Sequence, residues 1–557
     1  MPSNPAQPAA SAYAYPLLIR QLLHTPLATA PRQEIVYADQ RRYDYATLID
    51  RIARLASALT ELDIEPGDTV AVMDWDSHRY LECFFAIPMM GAVLHTINVR
   101  LSPEQILYTI NHAEDDVILV HEDFIPIIEQ IEGRLDRPCK LVIIKESDAS
   151  TGTSLTLEGE YEELVDRGRP DHAFQDFDEN TRATTFYTTG TTGDPKGVFY
   201  SHRQLVLHTL SVSAALGMAG DHGRFCKEDV YMPITPMFHV HAWGMPYMAT
   251  LAGVKQVYPG RYDPEKLLGL IATEKVTYSH CVPTILHMLL SCPKVDSVDL
   301  SNWKVVIGGS ALPRGLARAA LDRGIDIFSG YGMSETGPVL TIAHLERGML
   351  AGDDESVLEL RCRTGRPLPL VELDVVDENM RSVPRDEKTT GEVVVRAPAL
   401  TQGYFKNAET SETLWAGGYL HTGDIGHIDK DGYLKVTDRL KDVIKSGGEW
   451  ISSLALEDIV SQLDCVTEVA AIGIPDEKWG ERPMVLVVPE PGHEADLSED
   501  VVRQHVQNHA ERGEITRWAI PERVAIVKSI DKTSVGKIDK KRLRAHYETS
   551  NPRQSKP

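Results

Sequence analysis

Apolar residues in the first part of the chain alternate between helical and strand spacing. Leucine and isoleucine recur at three- and four-residue intervals between Leu48 and Leu59, which predicts an amphipathic helix. The breaker sequence Glu65-Pro66-Gly67-Asp68 ends that helix, and the apolar run from Thr69 to Met73 predicts a buried strand. The alternation continues with helical patterns near 78–91 and 103–113 and with short apolar strands at 117–120 and 141–144. This order predicts parallel sheets covered by helices on both faces.

Two later strands run directly into small residues. Val305-Val306-Ile307 is followed by Gly308-Gly309-Ser310, and Asp326-Ile327-Phe328 is followed by Ser329-Gly330-Tyr331-Gly332. Ligands of open α/β sheets bind beyond the carboxyl ends of the strands. Both segments are therefore predicted to form edges of a pocket.

The remainder of the chain predicts two smaller units. Short strands separated by turns at 391–395 and 433–436 are typical of a β-rich subdomain. Beyond Arg439, strands at 469–474, 484–488 and 523–527 and an amphipathic segment at 499–510 predict a small α+β unit. We therefore predict an α/β fold with a large N-terminal domain of α/β layered sheets plus the β-rich subdomain, and a small α+β C-terminal domain. The N-terminal domain is expected at 1–438 and the C-terminal domain at 439–557, with the boundary near Asp438 to Asp442.

The composition is that of an ordinary globular protein with an acidic surface. The 557 residues include 81 Asp and Glu against 57 Lys and Arg, which gives a formal net charge of −24. Such a surface repels nucleic acid and anionic membranes, so an anionic substrate has to be met by a few local Lys and Arg side chains. No apolar run is long enough to span a membrane, and the N-terminus lacks the pattern of a signal peptide. The 7 scattered cysteines contain no CxxC pair, which favours reduced thiols, no zinc module and a cytoplasmic location.

The densest group of candidate chemistry is the loop from Thr188 to Gly197. It holds four threonines, three glycines and Lys196 between the apolar run 183–187 and the strand-like 198–200, which predicts a strand, a loop and a second strand. Glycines let backbone amides approach an anion, threonines add neutral donors and the lysine adds charge. We therefore predict that this loop holds a polyphosphate.

Two other interpretations of this loop compete with a polyphosphate site. A loop rich in Gly and Thr also fits a hairpin connection without a ligand. The spacing of Gly190 and Lys196 fits a degenerate P-loop of the NTPase type, but Pro195 replaces the second glycine and Gly197 stands where a Ser or Thr must bind magnesium. The P-loop interpretation is therefore disfavoured.

The segment Tyr187 to Gly197 resembles the signature loop of the AMP-forming adenylating superfamily, which includes acyl-CoA synthetases, the adenylation domains of peptide synthetases and luciferases. Five further motifs also resemble those of the superfamily, and each of them is weak evidence by itself. Because all five occur in the same order as in the superfamily and cover most of the chain, a chance resemblance is negligible. These motifs are Pro236-Met237-Phe238-His239, Gly330-Tyr331-Gly332-Met333-Ser334-Glu335-Thr336, Thr422-Gly423-Asp424, Asp438-Arg439-Leu440-Lys441-Asp442 and Gly536-Lys537. The resemblance implies ATP, magnesium and, for acyl-CoA synthetases, CoA.

The resemblance also implies where the nucleotide binds. Glu335, in a glycine-rich turn beside hydroxyls, is expected to hold magnesium on the ATP phosphates, with Thr188 or Thr192 as a second contact. Tyr331 is expected to lie against adenine, and Asp424, after a glycine in a tight turn, to accept both ribose hydroxyls. The other expected nucleotide contacts are Thr189, Gly190, Thr191, Gly193 and Lys196 of the loop, Gly309, Ser310 and Ala311 of one pocket wall, Ser329, Gly330, Gly332 and Ser334 of the other, and Arg439 at ribose or phosphate.

Lys537 is the strongest candidate for a catalytic residue. Glu335 and Lys196 are further catalytic candidates. Lys537 lies in the loop 533–538 of the small domain, which is mobile in the superfamily. In the first half-reaction a carboxylate attacks the α-phosphorus of ATP, and a lysine that bridges the two anions stabilises the charge that builds up. Without the other motifs, Lys537 would be a solvated lysine in a basic C-terminal run. Asp531 stands where the superfamily usually has proline, which changes the stiffness expected of this loop.

The same resemblance implies a hinge and a path for CoA. Lys441, two residues after Arg439, matches the hinge about which relatives rotate the small domain between adenylation and thioester formation. One site then serves both steps. The sequence 445–450 resembles the loop that lines the pantetheine tunnel, with Lys445 and Trp450 as expected contacts of nucleotide or CoA.

The acid is expected to bind beside the motif that ends at His239, which is also a catalytic candidate. His239 and His241 have metal-ligand spacing, but no Cys or carboxylate partner is near in the sequence, so a packed histidine is favoured over zinc. Trp243 resembles the aromatic gate of bacterial fatty-acyl-CoA synthetases, and 447–453 points to the same branch, which also contains 3-(methylthio)propanoate-CoA ligases. No Asp or Lys stands among the expected pocket residues, so an apolar tail is favoured over an amino acid. The expected acid contacts are His239, Val240, Trp243, Gly309 and Met333.

We therefore predict an ATP-dependent, AMP-forming acid:CoA ligase that acts on a fatty acid of medium or long chain, or on a short apolar acid such as 3-(methylthio)propanoate. Transfer of the acyl group to a separate carrier protein is the enzymatic alternative, disfavoured because no carrier domain follows Lys537. A nucleotide-binding regulator without turnover is the non-catalytic alternative, and it is disfavoured because the expected site residues are intact, namely Lys196, Glu335, Asp424, Arg439 and Lys537. The chain length of the acid and the oligomeric state, a homodimer included, are left open.

Overall fold

The computed structural model describes residues 6–146, 152–188, 194–220, 222–346, 348–446, 449–476, 478–532 and 538–549. Within these ranges the strands, in chain order, are β1 Glu34–Tyr37, β2 Arg41–Asp44, β3 Thr69–Met73, β4 Val93–Thr96, β5 Val117–His121, β6 Lys140–Ile144, β7 Gly159–Glu160, β8 Arg182–Thr188, β9 Lys196–Ser201, β10 Val230–Pro233, β11 Lys255–Tyr258, β12 Tyr278–Cys281, β13 Lys304–Ile307, β14 Asp326–Gly332, β15 Val339–Ile342, β16 Arg366–Pro367, β17 Glu372–Val376, β18 Gly391–Arg396, β19 Leu420–Ile428, β20 Leu434–Arg439, β21 Ile444–Ser446, β22 Glu449–Ile451, β23 Val466–Asp476, β24 Gly480–Pro489 and β25 Arg523–Ile526.

The helices of the same ranges are α1 His24–Thr29, α2 Tyr45–Glu61, α3 His78–Met89, α4 Pro103–Ala113, α5 Ile125–Ile131, α6 Tyr161–Arg167, α7 His202–Gly217, α8 Val240–Trp243, α9 Met245–Ala252, α10 Pro264–Glu274, α11 Pro283–Leu290, α12 Arg314–Leu321, α13 Asp354–Cys362, α14 Ala408–Leu414, α15 Ser453–Val460, α16 Glu499–Glu511 and α17 Lys540–Thr549. No helix in the described ranges is both long and apolar enough to cross a bilayer.

The first large sheet has seven strands in the order β7-β6-β5-β3-β4-β8-β9. Its neighbouring strands run parallel except β8 and β9, which pair antiparallel as a hairpin. The central strands β3 and β5 are buried at every position, as strands covered on both faces are. The predicted alternation of strands and helices is therefore confirmed.

The second large sheet has nine strands in the order β16-β15-β14-β13-β12-β10-β11-β1-β2. Its middle is parallel, and antiparallel pairs close both edges. In β13 and β14, Ile307 lies opposite Ser329. The first segment of small residues predicted to edge a pocket therefore follows β13, and the second forms the end of the neighbouring strand β14.

Two smaller sheets follow in the chain. The antiparallel sheet β17-β18-β19-β20 confirms the predicted β-rich subdomain. The last sheet has the order β22-β21-β24-β23, with β25 parallel to β24. The chain passes from one sheet to the next between Arg439 and Ile444, and we propose the domain boundary in this segment.

The structure corrects two expectations about local conformation. Ser329 to Gly332 were expected beyond the end of a strand, but β14 continues to Gly332 because it pairs with β15. Thr422 to Asp424 were expected in a tight turn, but they lie inside β19, which pairs with β18 and β20. For Ser329 to Gly332 the neighbouring strand satisfies the backbone groups, and that partner is not visible locally in the sequence. At Thr422 to Asp424 the register of β18 and β19 shifts, and Gly423 has φ +67°. The backbone N–H groups of Gly423 and Asp424 donate to the side chains of Glu392 and Thr422.

Side-chain caps fix the helices that surround the hairpin. α4 begins after Ser102, whose hydroxyl accepts the Gln105 N–H, while the Gln105 side chain accepts the Ser102 N–H. α7 begins after Ser201 with the same reciprocal pair, in which Gln204 is the partner. Such capping boxes satisfy backbone donors that the first turn leaves unpaired. Since α7 follows β9 without a break, its cap also fixes how the chain leaves the hairpin.

Candidate active site

The glycine- and threonine-rich loop joins the two strands of the β8 and β9 hairpin. Tyr187 lies opposite Gly197 and Thr188 opposite Lys196 in this pair, so the predicted strand, loop and strand are confirmed. Lys196 begins a strand rather than a helix, unlike the lysine of a P-loop NTPase. The loop residues Thr189, Gly190, Thr191, Thr192 and Gly193 lie outside the described residues, and their contacts with phosphate stay predictions.

A polar cavity of about 290 Å³ opens beside the end of the hairpin. Lys196 lines it, together with Tyr108 and His112 of α4 and the segment 404–407. That segment is held against β9 because the Phe405 N–H donates to the Gly197 carbonyl at 2.8 Å. Lys196 therefore faces open space next to the loop that is predicted to hold phosphate.

Tyr404 joins two predicted site residues that come from distant motifs. Its hydroxyl donates to Glu335 Oε1 at 2.7 Å, and Lys196 Nζ lies 4.9 Å from the centre of its ring. Glu335 is only 7 % exposed and lies in a 3₁₀ turn, Ser334–Thr336, which Met333 separates from the end of β14. Burial and the Glu335 carboxylate raise the pKa of Tyr404, so its hydroxyl stays protonated and donates. The structure thus brings the predicted phosphate lysine and the predicted metal carboxylate to one tyrosine.

Tyr331, Asp424 and Arg439 form a second connected group. The Tyr331 hydroxyl donates to Asp424 Oδ2 at 2.6 Å, and Arg439 Nε lies 3.2 Å from Asp424 Oδ1. Asp424 and Arg439 are opposite each other in β19 and β20, and Asp424 is 3 % exposed. Burial and the Asp424 charge raise the pKa of Tyr331 well above its usual value. The residues predicted for adenine, ribose and the domain junction are therefore neighbours in space.

The two predicted pocket walls also meet. A Cβ atom on Gly308 would lie 3.1 Å from the Gly330 carbonyl oxygen, so the strand ends are in close contact. Gly309 follows with φ +79°, in the left-handed region that favours glycine. Ser310 and Ala311, which come next, are exposed. The wall predicted at 309–311 thus starts beside β14 and turns outward to solvent.

The residues along β14 connect this wall to Glu335. The hydroxyl of Ser329 is buried and has no hydrogen-bond partner among the described residues. A buried polar atom without a partner fits a site for a polar ligand such as a purine. Met333 is half-buried and packs against the core of the β-rich subdomain. The carbonyl of Ser334 accepts a hydrogen bond from the Tyr200 hydroxyl at 2.6 Å.

Trp243 closes the pocket wall on its apolar side. A Cβ atom on Gly308 would lie 2.9 Å from Trp243 Cη2, and the ring centres of Trp243 and His280 are 5.0 Å apart. The indole is held there by α8, which is a left-handed turn, since φ is between +47° and +60° from Val240 to Trp243. Left-handed residues cost about 1–2 kcal/mol each. Strain of this kind persists where the surrounding structure holds it, often at functional sites.

His239 and His241 have different surroundings. His239 is half-buried and precedes the left-handed turn. Its backbone N–H donates to the Pro236 carbonyl at 2.9 Å. His241 is fully buried, with its ring centre 5.4 Å from those of Phe84 and Phe186. Burial lowers the pKa of His241 to about 3, so the ring is neutral at physiological pH. His241 is thus a packed histidine, the interpretation that the sequence favoured.

The C-terminal candidates are only partly described. Lys537 and the side chain of Trp450 lie outside the described residues, and their roles stay predictions. Lys441 lies between β20 and β21, and Lys445 lies within β21. Arg544 of α17 forms an ion pair with Asp442, one residue after the predicted hinge. The last helix is therefore tied directly to the segment about which rotation is predicted.

Sequence reasoning missed the residues that hold the turn of Glu335. Besides Tyr404, the Thr401 N–H donates to the Glu335 carbonyl at 3.0 Å, and Tyr200 holds Ser334. The available signal was the aromatic pair Tyr404-Phe405 in an otherwise polar stretch. Nothing in its spacing connects that pair to Glu335.

Two models of known protein families match this chain. The model of the AMP-binding enzyme family matches residues 23–405, and the model of the AMP-binding enzyme C-terminal domain matches residues 455–537. The chain belongs to the AMP-binding enzyme family. The superfamily inferred from the motifs is therefore confirmed.

Curated relatives extend the match over nearly the whole length of this family member. A long-chain-fatty-acid–CoA ligase of Thermus thermophilus is 40 % identical over 523 residues, which cover 93 % of this chain and 93 % of the relative. A 3-methylmercaptopropionyl-CoA ligase of Ruegeria pomeroyi is 36 % identical over 507 residues, which cover 90 % and 92 %. The predicted branch, and the prediction of an AMP-forming acyl-CoA synthetase, are confirmed by these matches.

A solved structure of the anthranilate CoA ligase AuaEII in complex with anthranoyl-AMP has the same fold. Its TM-score is 0.82 at 23 % identity, and the match covers 96 % of this chain and 98 % of that one. At this identity the similarity shows the fold alone. The predicted α/β fold with a large and a small domain is confirmed in its class.

Proposed function

We propose that this family member activates a fatty acid of medium or long chain, or a short apolar acid, with ATP and magnesium, and then transfers the acyl group to CoA. The acid carboxylate attacks the α-phosphorus of ATP, which gives an acyl-adenylate and releases pyrophosphate. The CoA thiolate then attacks the acyl carbon and releases AMP. The observation that carries the proposal is the meeting of Lys196 and Glu335 at Tyr404, beside the end of the hairpin.

The nucleotide half of the site is supported by two groups of contacts. Lys196 supplies a cation for the phosphate chain in a cavity that the hairpin opens. Tyr331 presents a ring at the wall formed with Gly330, and Asp424 lies beside it. Each carboxylate oxygen has two acceptor positions, so Asp424 can accept ribose hydroxyls while it keeps Tyr331 as a donor. Binding then fixes the α-phosphorus relative to the acid.

Magnesium fits the oxygen donors of this site. Mg²⁺ is usually held by one or two carboxylates together with substrate phosphates. Glu335 supplies a buried carboxylate, and Thr188 supplies a hydroxyl at the end of β8. Thr192 stays the other candidate hydroxyl. When bound, the metal neutralises charge on the triphosphate.

Lys537 is proposed to bridge the acid carboxylate and the α-phosphate during adenylation. Rotation about Lys441 is proposed to withdraw it and to bring the loop with Trp450 toward CoA. The ion pair of Arg544 with Asp442 lies next to that hinge, so the last helix would move with the small domain. One site would therefore serve both half-reactions.

An apolar acid is supported by the surroundings of Trp243. The indole belongs to a buried cluster that includes Val306, Phe328 and Met248. The two curated relatives are named for a long-chain fatty acid and for 3-methylmercaptopropionate, both acids with an apolar tail. A panel of acids from short thioether acids to long-chain fatty acids, compared by kcat/KM, identifies the preferred length.

The proposal is tested by separating the two products. Addition of the preferred acid to enzyme, ATP and magnesium should release pyrophosphate, and AMP should appear at a steady rate only when CoA is present. AMP release that needs a carrier protein instead of CoA would favour the carrier-charging enzyme. ATP binding with neither product would favour the regulator. The variant Glu335→Gln, which keeps the shape and removes the charge, should lose pyrophosphate release.

A further inference from the structure

Tyr404 lies outside the motifs that identified the other residues of the candidate site. It contacts Glu335 through its hydroxyl at 2.7 Å, and its ring centre lies 4.9 Å from Lys196 Nζ. Both partners are proposed to act on the metal-bound triphosphate. Tyr404 itself lines the cavity beside Lys196.

The backbone around Tyr404 is held on two sides. Its N–H donates to Ser411 Oγ at 2.8 Å, and the next residue, Phe405, donates its N–H to the Gly197 carbonyl at 2.8 Å. Three residues earlier, Thr401 donates its hydroxyl to the Phe199 carbonyl at 2.9 Å. The ring is therefore placed by β9, which is one strand of the hairpin, and by Ser411 in the middle of α14.

The same segment holds the backbone of Glu335. The Thr401 N–H donates to the Glu335 carbonyl at 3.0 Å, while the Tyr404 hydroxyl donates to the Glu335 side chain. Glu335 is thus fixed at its main chain and at one carboxylate oxygen by Thr401 and Tyr404, which are three positions apart in the chain. A hydrogen bond from a hydroxyl to a carboxylate is charge-assisted and restricts the side chain to one orientation.

We propose that Tyr404 is a positioning residue whose hydroxyl orients the Glu335 carboxylate toward the magnesium of bound ATP. This inference rests on the proposed function, because it needs Glu335 to bind the metal. Metal ligands are commonly oriented by such outer contacts, whose loss lowers metal affinity by about 10- to 100-fold. The cation–π contact with Lys196 keeps the ring beside the phosphate lysine and does not depend on the hydroxyl.

The variant Tyr404→Phe isolates the hydroxyl, since it keeps the ring beside Lys196. ATP affinity is measured by calorimetry without acid, once with magnesium and once with EDTA. We expect the affinity with EDTA to stay within about twofold of wild type, and the affinity with magnesium to fall about tenfold. A loss of the same size in both conditions, or no loss in either, would overturn the inference.

Two further variants test whether the loss of magnesium-dependent ATP affinity comes from the contact between Tyr404 and Glu335. In Tyr258→Phe, the control, a buried tyrosine loses a hydroxyl that donates to Gln256 Oε1 at 2.7 Å, and the effect of magnesium on ATP affinity should stay that of wild type. In a Glu335→Gln background, Tyr404→Phe should cause no further loss of that effect. An undiminished loss in this background would contradict a role through Glu335.

The failure of this inference can be told apart from the failure of the proposed function. If wild-type enzyme releases no pyrophosphate with any acid of the panel, the proposed function fails. If wild-type enzyme releases pyrophosphate and Tyr404→Phe binds ATP with the wild-type dependence on magnesium, only the role of Tyr404 fails. The melting temperature of each variant shows that it is folded.

Discussion

The Tyr331 hydroxyl donates a 2.6 Å hydrogen bond to Asp424 Oδ2, which joins the residue predicted for adenine to the residue predicted for ribose. The two side chains come from β14 and β19, in different sheets. Arg439 holds the other carboxylate oxygen at 3.2 Å. Asp424 is therefore oriented before any nucleotide binds, which lowers the cost of ordering it.

Removal of the Tyr331 hydroxyl should weaken ATP binding. Tyr331→Phe keeps the ring for adenine but leaves a carboxylate that is 3 % exposed with one donor fewer. Hydrogen bonds to charged groups contribute about 1.5–3 kcal/mol, so KM for ATP should rise about tenfold or more. The kcat/KM for the acid at saturating ATP should change little. An unchanged KM for ATP would show that this contact does not support the nucleotide.

A methyl group at position 308 should disturb the acid pocket. The Cβ atom of Gly308→Ala would lie 2.9 Å from Trp243 Cη2 and 3.1 Å from the Gly330 carbonyl oxygen, so the indole has to move. Small displacements in an active site can cost large factors in rate, and we expect kcat/KM for the acid to fall about tenfold or more.

The matched control is Gly315→Ala in α12, where a Cβ atom would meet no heavy atom within 4 Å. This variant should keep the wild-type kcat/KM and gain slightly in stability, because alanine favours a helix over glycine. Equal activity of the two alanine variants would contradict the role given to Gly308.

The contribution of the buried Asp76 carboxyl to stability should fall as the pH rises from about 4 to 7. Burial raises the pKa of Asp76 to about 7, although the Tyr262 hydroxyl and the Met237 N–H both donate to it. The unfolded chain loses this proton near pH 4 while the folded chain keeps it to about pH 7, so the unfolded state is favoured progressively across that window. Above pH 7 the contribution of Asp76 to the free energy of unfolding no longer changes with pH. At about 1.4 kcal/mol for each pKa unit, the total is on the order of 4 kcal/mol.

The variant Asp76→Asn removes this titration. Its free energy of unfolding, measured by urea denaturation at several pH values, should rise relative to wild type between pH 4 and 7. Asp464→Asn, at an exposed position, serves as the control and should leave the wild-type pH dependence unchanged. Parallel pH profiles for Asp76→Asn and wild type would contradict the raised pKa.

Loss of Lys537 should separate the two half-reactions. Lys537→Ala removes the cation proposed to bridge carboxylate and α-phosphate, and removal of one such group costs about 100- to 1,000-fold in rate. Adenylation, measured by pyrophosphate release, should fall by that factor. Thioester formation from supplied acyl-AMP and CoA should keep most of its rate, since Lys537 is then withdrawn.

The control for this variant is Lys541→Ala, which removes an exposed lysine of α17 in the same basic run. It should leave both half-reactions unchanged. Equal loss of both half-reactions in Lys537→Ala would reject the use of one site in two domain positions.

Much of the fold could be predicted because its signals are local. The helix from Tyr45 to Glu61 and the strand from Thr69 to Met73 follow the predicted periods, and the hairpin around the loop follows from two apolar runs. Thr422 to Asp424 were predicted in a turn, but they lie at an irregularity within β19, where Gly423 keeps a left-handed φ of +67° and Asp424 pairs with Arg439 of the neighbouring strand.

Some residues of the candidate site could likewise be predicted from local signals in the sequence, and others could not. The motifs predicted Lys196, Glu335 and Asp424 as site residues, because each carries its own chemistry, and their roles stay predictions. Tyr404 could not be found, since its role comes from a contact with Glu335 across 69 positions. The domain boundary and the cytoplasmic location stay predictions, and the oligomeric state stays open.

The most direct test of the account is to look for the intermediate. Enzyme is mixed with ATP, magnesium and the preferred acid in the absence of CoA, the mixture is quenched, and its products are identified by mass spectrometry. We expect acyl-adenylate and pyrophosphate in equal amounts, and conversion of the acyl-adenylate to acyl-CoA and AMP when CoA is added. Formation of ADP and phosphate, or of acyl-CoA without any acyl-adenylate, would contradict it.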